Sequence, residues 1–177
     1  MAKKKKKTPA IENQLRLILG QEADLSQVAV YEMAALGQKP LKTSGLYSNA
    51  VVSEQAMNKL VSLSEIRPVP VIELHAVNST LPVGRVFKSG VRNGQLHALA
   101  YFTKQGQTDL IAKMDTGTIR DVSVGFTPSS LTCSSCNYDF FASEDGRELL
   151  IDGYFSGSTK CGNGHTIGKD NAQLQIM

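Results

Sequence analysis

No apolar run in this 177-residue chain approaches the length of a membrane-spanning helix, and no hydrophobic segment follows the N-terminal lysines as a secretion signal requires. No membrane association is expected, and the chain reads as made and kept in a cytoplasm-like compartment. Cysteine is scarce. Three residues, an odd number, argue against a disulfide framework when no export signal accompanies them. There is no internal repeat, and nothing is of low complexity beyond the lysines at 3–7. Those five lysines also carry the whole basic excess. Without them, 14 basic residues face 16 acidic ones, so the body is mildly acidic. Residues 1–9 are expected as a solvated, disordered arm, the one place offering nucleic acid or an acidic partner an electrostatic hook. The remaining composition, 41% hydrophobic and 20% charged, is that of an ordinary soluble domain with room for a small appended module.

Ile11, Leu15, Ile18 and Leu19 fall on one helical stripe, which Gly20 is placed to end. Val28, Val30 and Tyr31 fit a strand, and 46–52 reads as a short extended stretch. Ser53 is suited to cap a helix carrying Met57, Leu60 and Val61. Pro68 and Pro70 exclude the start of the next strand, 69–76, from the centre of a sheet. Residues 83–87 and 96–102 flank Asn93-Gly94, a pair that favours a tight hairpin. Thr108 is read as the cap of a short helix bearing Leu110, Ile111 and Met114, stopped by Gly117. Short strands with inserted helices predict an α+β, mostly β fold: a small mixed β-barrel or curled sheet with short flanking helices over residues 10–130.

Two of these segments carry candidate chemistry. In Arg120-Asp-Val-Ser-Val-Gly-Phe-Thr-Pro128, a period of two puts Val122, Val124 and Phe126 on one face and Ser123 on the other. Gly125 removes a side chain beside Ser123, so another backbone can approach. On the 69–76 strand, Ile72 and Leu74 share one face while Glu73 and His75 share the other. A serine and a histidine on the polar faces of two core strands are the minimum for general-base activation of a hydroxyl.

The cysteines form a second motif. Cys133-Ser-Ser-Cys136 and Cys161-Gly-Asn-Gly-His165 use every cysteine and one of three histidines. Two such pairs supply four soft ligands in tetrahedral order, which predicts a Zn²⁺ site within a zinc-knuckle module at 131–168. Four protein ligands leave no open coordination position, so the role expected for the ion is structural. Between the pairs, 148–152 and Tyr154-Phe155 read as a hairpin. The knuckle has no dense Lys/Arg cluster and no interleaved aromatics for stacking bases, so nucleic acid is not expected as a partner beyond the lysine arm.

Taken together, Lys42-Thr-Ser-Gly45-Leu-Tyr, the His75 strand with its upstream prolines, Leu81-Pro-Val-Gly-Arg85-Val, Leu96-His-Ala-Leu-Ala100 and Asp121-Val-Ser-Val-Gly-Phe126 resemble the tailed-phage prohead proteases. These capsid maturation proteases have the herpesvirus-assemblin-like fold. The Ser-hydrophobic-Gly-Phe strand is the most specific of these features, and a knuckle ending in Gly-His is similar to one in a subset of the family. The resemblance implies a serine endopeptidase with Ser123 as nucleophile and His75 as general base. Its substrates would be scaffold protein and major capsid protein, with its own termini and self-association in the prohead also implied. It would act inside the assembling prohead in the host cytoplasm. The family's third catalytic member lies on a strand after the nucleophile, where residues 169–177 end this chain. Either the chain is a truncated or self-cleaved form, or the orienting group comes from what remains. Glu73, Asp121, Asp115, Glu148 and His97 are the groups weighed for it, with His97 read as a core histidine. The rival reading is a zinc-knuckle binding module, for nucleic acid or a capsid component, without catalysis.

Overall fold

A computed structural model describes residues 2–177 except 43–44, 68, 73–80, 120–121, 123 and 170. In chain order the elements are β1 (Ala2–Lys4), α1 (Pro9–Leu19), β2 (Val28–Gly37), β3 (Val51–Val52), α2 (Glu54–Ile66), β4 (Pro70–Val71), β5 (Gly84–Arg92), β6 (Gln95–Thr103), α3 (Thr108–Asp115), β7 (Leu131–Cys133), α4 (Glu144–Ser156) and β8 (Leu174–Ile176). They divide into two compact units: Met1–Leu36 with Asn58–Gly125, and Gly37–Met57 with Phe126–Met177. Residues 37–57, assigned from the sequence to the first domain, thus belong to the second unit.

The first unit is built on a five-stranded sheet of order β1-β2-β6-β5-β4. The sheet is curled but open, a half-barrel: of the two expected forms, barrel or curled sheet, it takes the second. Its two end strands have only three and two residues, too short a seam for closure. Pro70 sits in the edge strand β4, as its missing N–H demands. The lysine arm is also not the disordered tail expected. Ala2–Lys4 is β1, antiparallel to β2 with Lys3 opposite Glu32 and Lys4 opposite Tyr31.

Both faces of the sheet are covered, which explains why Val28, Ala29, Val30 and Tyr31 are all buried. On one face Ala29, Tyr31, Met33, Ala100 and Phe102 meet Ile111 and Met114 of α3. The Tyr31 and Phe102 rings pack edge to face at 5.6 Å. On the other face Val28, Val30 and Tyr101 meet Leu15 of α1. Thr8 caps α1 by accepting from the Ile11 N–H, and Pro9 begins the helix. The β5–β6 hairpin turns through Asn93 and Gly94, both at positive φ (51° and 68°), as expected of that pair.

Two local expectations fail here. Gln107, not Thr108, is the N-cap of α3; the Thr108 hydroxyl donates back to the Lys104 carbonyl at 3.1 Å. The described part of the 120–128 stretch, Val122 and 124–128, is not in a strand. Of the expected apolar face, Val122 packs on the α3-side core.

In the second unit β8 lies between β3 and β7, parallel to β3 and antiparallel to β7. Only Val51 and Val52 of the expected 46–52 extended stretch are strand. A turn precedes them, closed by the Ala50 N–H on the Tyr47 carbonyl at 3.0 Å with Asn49 at φ 61°. Ser53 caps α2 as expected, its hydroxyl accepting from the Ala56 N–H at 3.0 Å. The hairpin expected at 148–155 is instead the helix α4. Ser143 caps it through the Gly146 N–H, Glu144 and Asp145 suit its positive end, and Gly157 follows it in the left-handed conformation. Its buried stripe is Gly146, Leu150 and Gly153, a helical spacing hidden by two glycines.

Candidate metal centre

The second unit brings Cys133, Cys136, Cys161 and His165 together, with one ligand atom of each within 4.8 Å of the others. Cys133 ends β7, where pairing with Leu174 of β8 fixes its backbone. The chain then turns tightly. The Cys136 and Asn137 N–H groups both donate to the Cys133 carbonyl, at 3.3 and 2.8 Å, and Asn137 takes φ 58°. A matching turn forms the other half: Cys161 N–H donates to the His165 carbonyl at 3.0 Å, and Gly164 N–H returns to Cys161 at 2.8 Å. Gly162 joins the halves, because a Cβ there would overlap the Tyr138 ring.

The spacing of the donors fits a single ion. Metal–sulfur bonds of about 2.3 Å in a tetrahedron put sulfurs about 3.8 Å apart, and sulfur to imidazole nitrogen about 3.5 Å apart. Cys136 Sγ lies 3.7 Å from Cys161 Sγ, and Cys161 Sγ lies 3.5 Å from His165 Nδ1. A disulfide needs about 2.05 Å, so all three sulfurs are free thiols.

The electrostatics point the same way. The Cys136 thiol is pulled down to about 6, first by the Tyr138 backbone N–H, then by the side chains of Asn163, His165 and Cys161, against the effect of burial. Cys133 is pushed up, chiefly by burial, with the sulfurs of Cys136 and Cys161 adding to it against the N–H groups of Ser135 and Cys136. Three thiols cannot all ionise side by side without a cation, whereas a metal ion binds thiolates. Cys133 and Cys161 are buried; Cys136 and His165 are half-buried. The residues present therefore fit a metal ion with a filled protein ligand set. The four residues brought together are the four that the spacing in the sequence groups as candidate ligands. Tyr138 and Asn163 were not legible there, because a backbone donor and a loop amide leave no spacing pattern.

Ser123 and His75 lie outside the described residues, as do Glu73 and Asp121. Of the groups weighed as a third catalytic member, Glu148 is exposed on α4. Asp115 accepts from the Tyr31 hydroxyl at 2.6 Å and pairs with Lys4. His97 is half-buried, its Nδ1 3.9 Å from Glu32 Oε1. Among these, Asp115 is committed to its contacts with Tyr31 and Lys4.

The chain matches no known family model, no curated protein and no solved structure.

Proposed function

We propose that the Cys133, Cys136, Cys161 and His165 cluster is a structural zinc centre that staples the second unit. The observation carrying this is the clustering of the four donors, with sulfur–sulfur and sulfur–nitrogen separations suited to a tetrahedral ion. Of the first-row ions, zinc suits a Cys3His set with no open position. When bound, the ion would hold two turns together through thiolate and imidazole bonds and do no chemistry on a substrate. Metal analysis of purified protein tests this: one zinc per chain is expected, reduced to a small fraction in Cys136→Ser. Metal-free protein with an unaltered melt overturns it.

For the first unit we propose the activity of a prohead-type serine endopeptidase, with Ser123 as nucleophile and His75 as base. Its substrates would be scaffold and capsid-protein segments inside an assembling phage head. Support comes from the motif resemblance and from one feature of the half-barrel. Val71, four residues before His75, and Val122, beside Ser123, pack on the same hydrophobic cluster. The two described valines thus share one core. A Ser-His pair would divide the work as nucleophile and proton carrier. Incubating wild type and Ser123→Ala with scaffold protein tests it. Cleavage by wild type alone is expected, with His75→Ala as inactive as Ser123→Ala because the pair acts as a unit. Identical behaviour of all three leaves the reading that the ligand cluster favours by itself, a zinc-stapled binding module without catalysis.

A further inference from the structure

A hollow of ≈ 340 Å³ in the first unit is lined by Lys4, Lys5, Lys6, Lys7 and Lys104, with Val28, Ala29 and Val30 of β2. No acidic residue lines it. Two of its lysines are neutralised elsewhere: Lys4 pairs with Asp115, and Lys5 with Glu32 at 2.6 Å. Lys7 donates to the Leu25 carbonyl, and its ammonium is disfavoured by burial and then by the charge of Lys104, against Glu12 and Asp24. Lys6 and Lys104 are exposed and enter no ion pair among the described residues. The backbone beside these cations is tied to the body at two points. The Lys5 N–H donates to the Val30 carbonyl and the Lys104 N–H to the Gln27 carbonyl, each at 2.8 Å.

We propose that this hollow binds the phosphodiester backbone of a nucleic acid, independently of sequence, through Lys6, Lys7 and Lys104. A concave surface of one sign concentrates polyanions. Tying the backbone at Lys5 and Lys104 to Val30 and Gln27 removes part of the ordering cost that a flexible lysine tail would meet on binding. The lining has no aromatic ring to stack a base and no Asn, Gln or Arg to read one, so contact is with phosphate alone. An acidic peptide is the rival occupant. The hollow offers it no Arg fork for bidentate carboxylate pairing, and lysines on an edge strand are a feature that discourages strand addition.

Fluorescence anisotropy with a short mixed-sequence single-stranded DNA, between about 50 and about 200 mM salt, tests the site. Three phosphate contacts predict a slope of log K against log salt of about −2. Lys6→Ala/Lys104→Ala should weaken binding about tenfold at the lower salt and reduce the slope to about −0.7, as one contact remains. Cys136→Ser, in the other unit, should bind as wild type. An unchanged affinity in the double lysine variant, given a melting temperature equal to wild type, overturns the proposal. So does loss of binding confined to Cys136→Ser. Tighter binding of polyglutamate than of DNA overturns the phosphodiester assignment in favour of an acidic peptide.

Discussion

The Tyr31 hydroxyl is covered by α3 and donates to Asp115 Oδ1 at 2.6 Å, while Asp115 also pairs with Lys4 of β1. Burial, then Asp115, drives the phenol's ionisation well above its ordinary range. The Asp115 carboxyl is held below its ordinary value, first by Lys4 and then by Tyr31. Glu32 is lowered too, chiefly by Lys5 and further by Arg92. Carboxylates depressed in the folded state stabilise fully above their unfolded values near 4, and that stability is lost as pH falls through the folded values. Raised phenol ionisation acts at the other end: its contribution is complete below about pH 10 and is lost above it. Melting temperature should therefore hold from pH 6 to 8 and drop below about pH 4. Asp115→Asn should melt lower at neutral pH and show a shallower acid fall; parallel acid limbs for the two proteins would refute this assignment. Tyr31→Phe keeps the ring packing and loses one hydrogen bond to a charged acceptor, a cost of about 1.5–3 kcal/mol by denaturant titration.

At the scale of elements, α4 gives the sharpest test, because two effects of known size oppose each other in it. Gly146 and Gly153 lie on its buried stripe; a Cβ on Gly146 would come 2.7 Å from the Phe140 carbonyl oxygen, and one on Gly153 would overlap Thr159. Alanine in a helix interior gains at most about 1 kcal/mol over glycine. Forced overlap in a packed contact costs about 1–3 kcal/mol. Gly153→Ala should therefore be net destabilising, read as a lower denaturation midpoint for the second unit, whereas a stabilised variant would mean that α4 can lift away freely. The same glycines explain why this helix was not legible in the sequence. Its inner face has one large residue, Leu150, while Ile151, Tyr154 and Phe155 are exposed, so the apolar pattern pointed the wrong way. The elements with a conventional stripe and local caps, α1 and α2, were readable, as was the hairpin through Asn93-Gly94. The clustering of Cys133, Cys136, Cys161 and His165 was readable because their spacing is itself the constraint. Barrel closure and the pairing of the lysine arm were not, since both depend on which strands meet at long range. Nothing in residues 2–4 announces a partner in residues 31–33.

Across the whole chain, the two units differ in what secures them. The first has two hydrophobic clusters on opposite faces of its sheet and needs no ion to bury Tyr31, Phe102 or Leu15. The second has a three-stranded sheet with two- and three-residue strands, and two of its buried positions, Cys133 and Cys161, belong to the candidate metal cluster. Strands that short are marginal without added support. The proposed zinc, if bound, would supply it with a binding free energy of about 10 kcal/mol or more. Chelation should therefore act unequally. Hydrogen exchange after metal removal should speed up in β7, α4 and β8, including the Asn137 N–H held by the Cys133 carbonyl. Amides of β2 and β6 should keep their protection, because the sheet that orders them has no ligand in it. Readdition of zinc should restore the second unit's protection in proportion to the ion bound. Should β2 and β6 lose protection along with β7, the metal would be holding the entire chain in one cooperative fold. If neither unit responds, the cysteine cluster is not what stabilises the second unit.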